Sequence, residues 1–525
     1  MRDFQHPGRS SVYATNGMCA TSHPLAAKVA VQMLEQGGNA VDAAIAAAVL
    51  LGICEPPMTG LGGDCFVLLK PPGEERILAL NGSGRAPKQA SAADLRAKGL
   101  TAVPEWGVDA VTMPGAVDAF CRLSSDWGRV GLAAALAPAI RYADEGVPVG
   151  PRTAYDWANQ TIKLTGAARA AYLLQGKPPV EGQTFRAPGQ AEALRRVASQ
   201  GRAGFYEGEV AEDLIGSLTA QGGCHTLEDL AATACTWGEP VRGHYRGIDL
   251  YEHPPNGQGA TAILMCNILS QFDLAALDPF GAARAHLEAE ATKLAYDARN
   301  RFIADPDHTT RLSHMLDPQT ARRLAALIDP NRAMTAASPL TEHIHNDTVC
   351  VSVVDRDRMA VSLIYSIYSA FGSGLASDRF GILFQNRGAG FTLTQGHPNE
   401  LSGGKRPMHT IIPGMLGQSG RVIGSFGVMG GASQPCGHAR FVSNQVDFGM
   451  TAQAAIDGPR SFSGADGLEV ERGYSDAVRA ELVGLGHRVS IPEKPLGGAQ
   501  AILWDQSGRL EGGSDPRKDG CALGY

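Results

Sequence analysis

No run of five like charges occurs in this chain, its apolar stretches stay short of a bilayer's thickness, and its ten cysteines include no C-x-x-C pair. Each absence closes off a class of function. With no basic block, and a net charge of -7 spread over both signs, there is no electrostatic footprint for nucleic acid. The one long apolar run, Ala43 to Cys54, is twelve residues bounded by Asp42 and Glu55, too short to span a membrane and suited to a buried helix. The opening Met1-Arg2-Asp3-Phe4-Gln5-His6-Pro7 lacks the apolar core of a secretory signal, so a cytoplasmic location is expected. Scattered cysteines support neither a disulfide framework nor a zinc site, and no metal or cofactor is expected. No internal repeat is present. At 525 residues the chain has room for two or three domains or for one large globule.

What is present is a threonine in a telling place. In His345-Asn346-Asp347-Thr348-Val349-Cys350-Val351, Thr348 leads into an alternating apolar strand, and a Gly-rich segment, Val428-Met429-Gly430-Gly431, follows later. This is the layout of an enzyme that cuts itself before a hydroxyl residue and uses the new N-terminal residue as nucleophile. A Thr hydroxyl is a weak nucleophile that needs an adjacent base, and an α-amine on the same residue is one, with a pKa of roughly 7.7 to 8.0 near operating pH. That amine exists only once the Asp347-Thr348 bond is broken, so activity requires the chain to become two pieces. In isolation Thr348 reads as an ordinary strand-edge residue; its surroundings decide otherwise. Cys350, two residues on, reads as a small apolar filler of a core strand.

Local patterns place these residues on elements. Pro24 to Gln36 reads as a helix with Pro in its first turn, stopped by Gly37-Gly38, and Ala40 to Leu51 as a second helix capped by Asn39. Val349 to Ile367 reads as two strands joined through the polar turn Asp355-Arg356-Asp357-Arg358. Gly381 to Gln385 and Arg421 to Gly427 are further strand-like runs, whereas Phe280 to Ile303 and Gln319 to Leu327 read as amphipathic helices. Ala167 to Gly204 is polar and rich in Gly and Ala, which fits peripheral helices or loops equally well. Strands flanked by helices define an α/β (α+β) layering without specifying which one.

A set of short strings in fixed order narrows this: Gly17-Met18-Cys19-Ala20-Thr21-Ser22-His23-Pro24, Gly37-Gly38-Asn39-Ala40-Val41-Asp42, Glu55-Pro56, Gly60-Leu61-Gly62-Gly63-Asp64, Met113-Pro114-Gly115, the Thr348 segment, Phe371-Gly372-Ser373-Gly374, Gly381-Ile382-Leu383-Phe384-Gln385-Asn386, Gly430-Gly431 and Ala455-Ile456-Asp457-Gly458-Pro459-Arg460. Together they resemble the γ-glutamyltransferase (glutathione hydrolase) family of the N-terminal-nucleophile hydrolases over nearly the whole chain. The resemblance implies a four-layer αββα sandwich. It also implies one globular unit made of a large fragment, 1–347, and a small one, 348–525, that stay together as a heterodimer, with further oligomerisation left open. Catalysis would rest on Thr348, with Ser366 as a second hydroxyl eighteen residues on, and with the N–H groups of Gly430 and Gly431 facing the developing oxyanion. The substrate would be a small amide rather than a nucleic acid or a membrane.

The substrate pocket departs from the family. An α-amino acid head group calls for an Arg, an acid and hydrogen-bonding neighbours. Ser83 stands in the Arg position, with Arg85 shifted by two; Gly390 stands for the acid, Tyr368 for an Asn, and His409-Thr410 for two Ser residues. Arg387 occupies a place that is neutral in relatives. Arg85, Tyr368, Arg387, His409 and Thr410 are therefore the candidate substrate-binding residues. Only eighteen residues separate Gly390 from His409, leaving little room for a lid loop, and an open site favours hydrolysis over transfer. Three functions are in play: a hydrolase of γ-glutamyl amides such as glutathione, the same mechanism on an acyl donor without the α-amino group (a glutaryl or other dicarboxylic half-amide), and a non-catalytic ligand-binding relative. The joint presence of Thr348, Ser366 and Gly430-Gly431 counts against the last.

Overall fold

The N-terminal helical hairpin forms as its caps dictate. His23 accepts the Leu25 N–H at the start of the helix Pro24–Glu35, and Asn39 forms a reciprocal capping box with Asp42 at the start of Ala40–Cys54. Every residue of that second helix is buried, so it continues to the end of the apolar run at Cys54, three residues past the expected Leu51. The computed structural model describes residue 5 and residues 8–334, 348–464 and 466–525.

The hairpin covers one of two seven-stranded sheets. In spatial order this first sheet runs Cys521–Gly524, Met18–Thr21, Val349–Val354, Ala360–Ser366, Asp64–Lys70, Leu78–Gly82, Thr236–Gly238, every neighbouring pair antiparallel. The second runs Val12–Ala14, Leu510–Ser514, Gly498–Trp504, Arg421–Met429, Pro413–Gln418, Ile248–Glu252, Val241–Tyr245, again antiparallel throughout. The sheets pack face to face. The central strands Val349–Val354 and Ala360–Ser366 are consequently buried along their whole length, without the polar alternation of a sheet that faces water on one side. Helices Ala116–Trp127 and Leu132–Glu145 join the hairpin outside the first sheet; Gly259–Leu269, Gln434–Val446 and Ala452–Asp457 cover the second, with Ala282–Phe302 behind them. This is the four-layer αββα sandwich. Both sheets contain strands from before 335 and from after 347 as hydrogen-bonded neighbours, so neither part has a complete core alone.

One expectation needs correction. Gly381 to Gln385 is not a sheet strand: it makes only isolated bridges, Phe384 to Gly62 and Leu383 to Ala376, because Gly381 turns the chain at φ +63°. The segment 167–204, which the sequence leaves open between helices and loops, forms helices Gly166–Tyr172 and Pro188–Gln200; Tyr172 and Phe185 stack on each other and pack at an angle against the fully buried Trp157. Among the described residues, no helix is long and apolar enough to cross a membrane.

Candidate active site

The register of one hairpin brings the catalytic candidates together. Val349 pairs with Tyr365, which sets Thr348 opposite Ser366, and Ser366 in turn pairs with Asp64 on the next strand. The eighteen-residue spacing is thus the hairpin's own length, closed by the turn in which Asp355 accepts the N–H groups of Asp357 and Met359. Thr348 Oγ1 lies 3.4 Å from Ser366 Oγ, and Ser366 Oγ also accepts the Tyr368 N–H at 2.9 Å. Thr348 is 1 % exposed and Ser366 fully buried. Asp347 lies outside the described residues.

The second sheet supplies the glycine turn. Cys350, Ile364, Phe66, Ile411 and Met429 form one apolar cluster between the sheets, which seats the end of Arg421–Met429 over the start of Val349–Val354. Cys350 is a filler there, its thiol pushed well up by burial. Gly430 and Gly431 follow at once with φ +126° and +56°, the left-handed side that residues with a Cβ rarely adopt. Both carbonyls are engaged, Gly430 with Ser433 and Gly431 with Gln258. Among the described residues, neither N–H is given to another group, the condition an oxyanion site requires. Gln258 also donates to the Thr410 carbonyl at 2.7 Å, tying this turn to the substrate side.

On that side the structure sorts the candidates. Arg387 is fully buried, donates to Thr410 Oγ1 at 2.8 Å and to Ser366 Oγ at 3.4 Å, and lies 4.1 Å above the Tyr368 ring. Arg387, Tyr368 and Thr410 therefore surround Ser366, the hydroxyl partner of Thr348. Tyr368 holds φ +78°, a strained conformation for a bulky residue and of the kind that collects at functional sites.

His409 behaves differently from expectation. Its Nδ1 accepts the Ile411 N–H and its Nε2 faces Asp64 at 3.1 Å, so both ring nitrogens are engaged within the protein and the ring orients Asp64. Burial, followed by the Arg387 charge, pushes its pKa down to about 3 despite Asp64, and the ring is neutral. Arg85 is not brought to the site. Its half-exposed side chain pairs with Asp305 and the Gly404 carbonyl, because the chain leaves the strand Leu78–Gly82 turning away from the Thr348 row. Ser83, in the family's Arg position, is closed into a buried network with Asn81 and Asn256. Gly390 has no space for the family's acid: a Cβ there would stand 2.8 Å from the Met408 carbonyl oxygen. The stretch between Gly390 and His409 is no free flap, since Phe391, Leu393 and Leu401 pack with Ala86, Leu95 and Val103.

Sequence reasoning missed two residues. Asp64 Oδ1 receives the N–H groups of Gly84 and Gly115 and the Gln385 amide, making it the hub that fixes three loops around the row. Gln258 couples the glycine turn to Thr410. Asp64 stood in view at the end of Gly60-Leu61-Gly62-Gly63-Asp64; Gln258 carried no signal.

A sandwich of two sheets between helix layers, with a hydroxyl residue opening a central strand beside a second hydroxyl and a glycine turn, is the architecture of an N-terminal-nucleophile amidohydrolase. The chain belongs to the gamma-glutamyltranspeptidase family, whose model matches residues 26–525. It is 35% identical over 526 residues to the glutathione hydrolase-like YwrD proenzyme of Bacillus subtilis, covering 98% of this chain and 99% of that protein. It is also 35% identical, over 549 residues, to the oxamate amidohydrolase proenzyme of Klebsiella pneumoniae, with 98% and 100% covered. The crystal structure of a cephalosporin acylase from Bacillus halodurans superposes with a TM-score of 0.92 at 37% identity, over 100% of this chain and 99% of that one.

Proposed function

We propose that this chain cuts itself between Asp347 and Thr348 and that Thr348 then hydrolyses small amides whose acyl group carries a carboxylate and no α-amino group. The freed amine of Thr348 takes the proton from its own Oγ1, which attacks the scissile carbonyl. Ser366 holds Oγ1 in place, the N–H groups of Gly430 and Gly431 receive the oxyanion, and the amine returns the proton to the leaving nitrogen. Water, activated by the same amine, releases the acyl group. The proenzyme names of both relatives support self-processing, and the interleaved strands support a heterodimer that stays assembled.

One observation carries the choice of acyl group: a fully buried Arg387 beside Ser366, Thr410 and Tyr368, with no space for an acid at Gly390. A planar guanidinium suits a carboxylate, and an α-ammonium next to it would meet this cation and no acid, since Gly390 stands in the acid's place. The oxamate amidohydrolase relative supports this reading, oxamate being the half-amide of oxalic acid. A γ-glutamyl donor is the second reading, favoured by the glutathione hydrolase-like relative. The test is a hydrolysis screen of glutaryl, γ-glutamyl and uncharged acyl anilides with oxamate, on protein whose light fragment has been sequenced from its N-terminus. A light fragment starting elsewhere than Thr348 overturns the mechanism. A thousandfold γ-glutamyl preference, about 4 kcal/mol, overturns the assignment of the acyl group.

A further inference from the structure

A buried His-Glu-His cluster lies well away from Thr348 and its partners. His286 and Glu290 are one turn apart on the helix Ala282–Phe302 and so share a face, and His487 reaches them from just beyond the helix Asp476–Gly484. One donor atom from each lies within 4.8 Å of the others. His286 and Glu290 are fully buried and His487 is 6% exposed.

The hydrogen bonds set the tautomers. His286 Nε2 is 2.8 Å from the Asp329 carbonyl, which can only accept, so the proton sits on Nε2 and the Nδ1 lone pair faces His487 Nε2 at 2.7 Å. An imidazole whose far N–H is anchored on a carbonyl is oriented as metal-binding histidines are. Glu290 accepts the Lys293 ammonium on Oε1 at 2.7 Å and the Met334 N–H on Oε2 at 2.8 Å. Each carboxylate oxygen has two lone pairs, so both contacts are compatible with a third partner.

We propose that His286, Glu290 and His487 form a binding site for a divalent cation of the zinc type. Two imidazole nitrogens and one carboxylate are a borderline donor set that suits Zn²⁺ and leaves a fourth position for water. At ~2.0–2.1 Å from each nitrogen, the ion separates the two rings slightly from their present contact, and the proton between them moves to Nδ1 of His487. Lys293 stays on the carboxylate's outer side. The position gives the ion a structural task, which rests on the processing reading above. His286 and Glu290 belong to the large fragment and His487 to the small one. Met334, clamped by Glu290 and by Lys293, lies thirteen residues before the bond to be cut. The ion would pin the tail of the large fragment to the small one after cleavage.

Chelator-stripped protein titrated with ZnCl₂ by calorimetry, and with CoCl₂ by visible absorption, tests the site. The expected result is one site of micromolar or tighter affinity with a tetrahedral cobalt band, weakened at least about tenfold in Glu290→Gln and in His487→Gln. The second variant is the safeguard if the first does not fold. The uncut Thr348→Ala chain should bind equally well, because all three ligands are already in place; binding there with no cut product in the parent would sink the processing reading and leave the site standing. No cobalt band, or a zinc site unchanged in both variants, would overturn the proposal and leave a proton-sharing histidine pair.

Discussion

Arg387 offers the sharpest test of the substrate assignment, because its role in binding can be separated from its role in packing. The side chain is fully buried, stacked on Tyr368 and bonded to Thr410 and Ser366. Arg387→Ala therefore leaves a cavity and loosens the nucleophile's partner, slowing every substrate. A substrate carboxylate adds a loss of its own. Each charge-assisted hydrogen bond is worth roughly 1.5–3 kcal/mol, so a bidentate contact corresponds to about two to four decades in kcat/KM. The assay compares glutaryl and butyryl p-nitroanilides, which differ in the terminal carboxylate. Packing losses common to both cancel in the ratio of the two kcat/KM values, which should collapse by those two to four decades. Arg387→Lys keeps the charge but not the planar fork and should fall between parent and Ala. Both variants must first be shown to be cut into two fragments. If the glutaryl-to-butyryl ratio stays within about threefold of the parent, Arg387 holds the site together without touching the substrate, and the reasoning fails.

Thr348→Ala should fold and remain one uncut, inactive chain, while Thr348→Ser should still be cut; mass spectrometry of the intact protein decides, and a cut, active Ala variant would end the nucleophile assignment. Gly390→Asp should not restore a γ-glutamyl preference, because its Cβ meets the Met408 carbonyl at 2.8 Å; the overpacking should cost roughly 1–3 kcal/mol, read as a lower denaturant midpoint. A tenfold or larger gain on γ-glutamyl anilide, about 1.4 kcal/mol, would mean that the loop yields. Glu55 is buried against Ser22, and its carboxyl is raised from 4.5 to about 7, chiefly by burial. The folded protein holds that proton more tightly than the unfolded chain does, so the contribution is complete below pH 4.5 and is lost as pH rises through about 7. Glu55→Gln should flatten this slope and raise stability above that pH by up to roughly 3 kcal/mol; melts that keep the parent's pH dependence would refute it.

What could be read from the sequence was what local chemistry decides. The helix cap at Asn39, the polar turn after Val354 and the strand opened by Thr348 depend on neighbours a few residues away, and each stands where its pattern placed it. The eighteen-residue separation of Thr348 and Ser366 came instead from the family resemblance, and the hairpin's register accounts for it. Arg85 pairs with Asp305 away from the site and His409 bonds Asp64, contacts that depend on where a side chain leaves a loop. Nothing near Arg85 in sequence announces Asp305, more than two hundred residues away. Nothing near His409 announces Asp64, which uses the imidazole that a substrate would otherwise meet. Gly381 to Gln385 has strand-like composition but no free sheet edge to join, and composition carries no information about edges.

The residues proposed for chemistry and those proposed for specificity sit on different parts of this fold, so the fold allows one set to be kept while the other changes. Thr348, Ser366 and Asp64 lie in one row across three adjacent strands, and a one-residue slip in any of them would turn a whole buried strand inside out. That row is fixed by the cores on both faces of the sheet. Arg387, Gly390, Ser83 and Thr410 sit instead on connections between elements, where substitutions disturb only their own contacts. Asp64 joins the two systems: through Gly84, Gln385 and His409 it fastens the specificity loops to the catalytic row. On the function proposed above, Gly390 in place of an acid and Arg387 in place of a neutral residue would invert the charge that a substrate meets while the Thr348 row stays where it is.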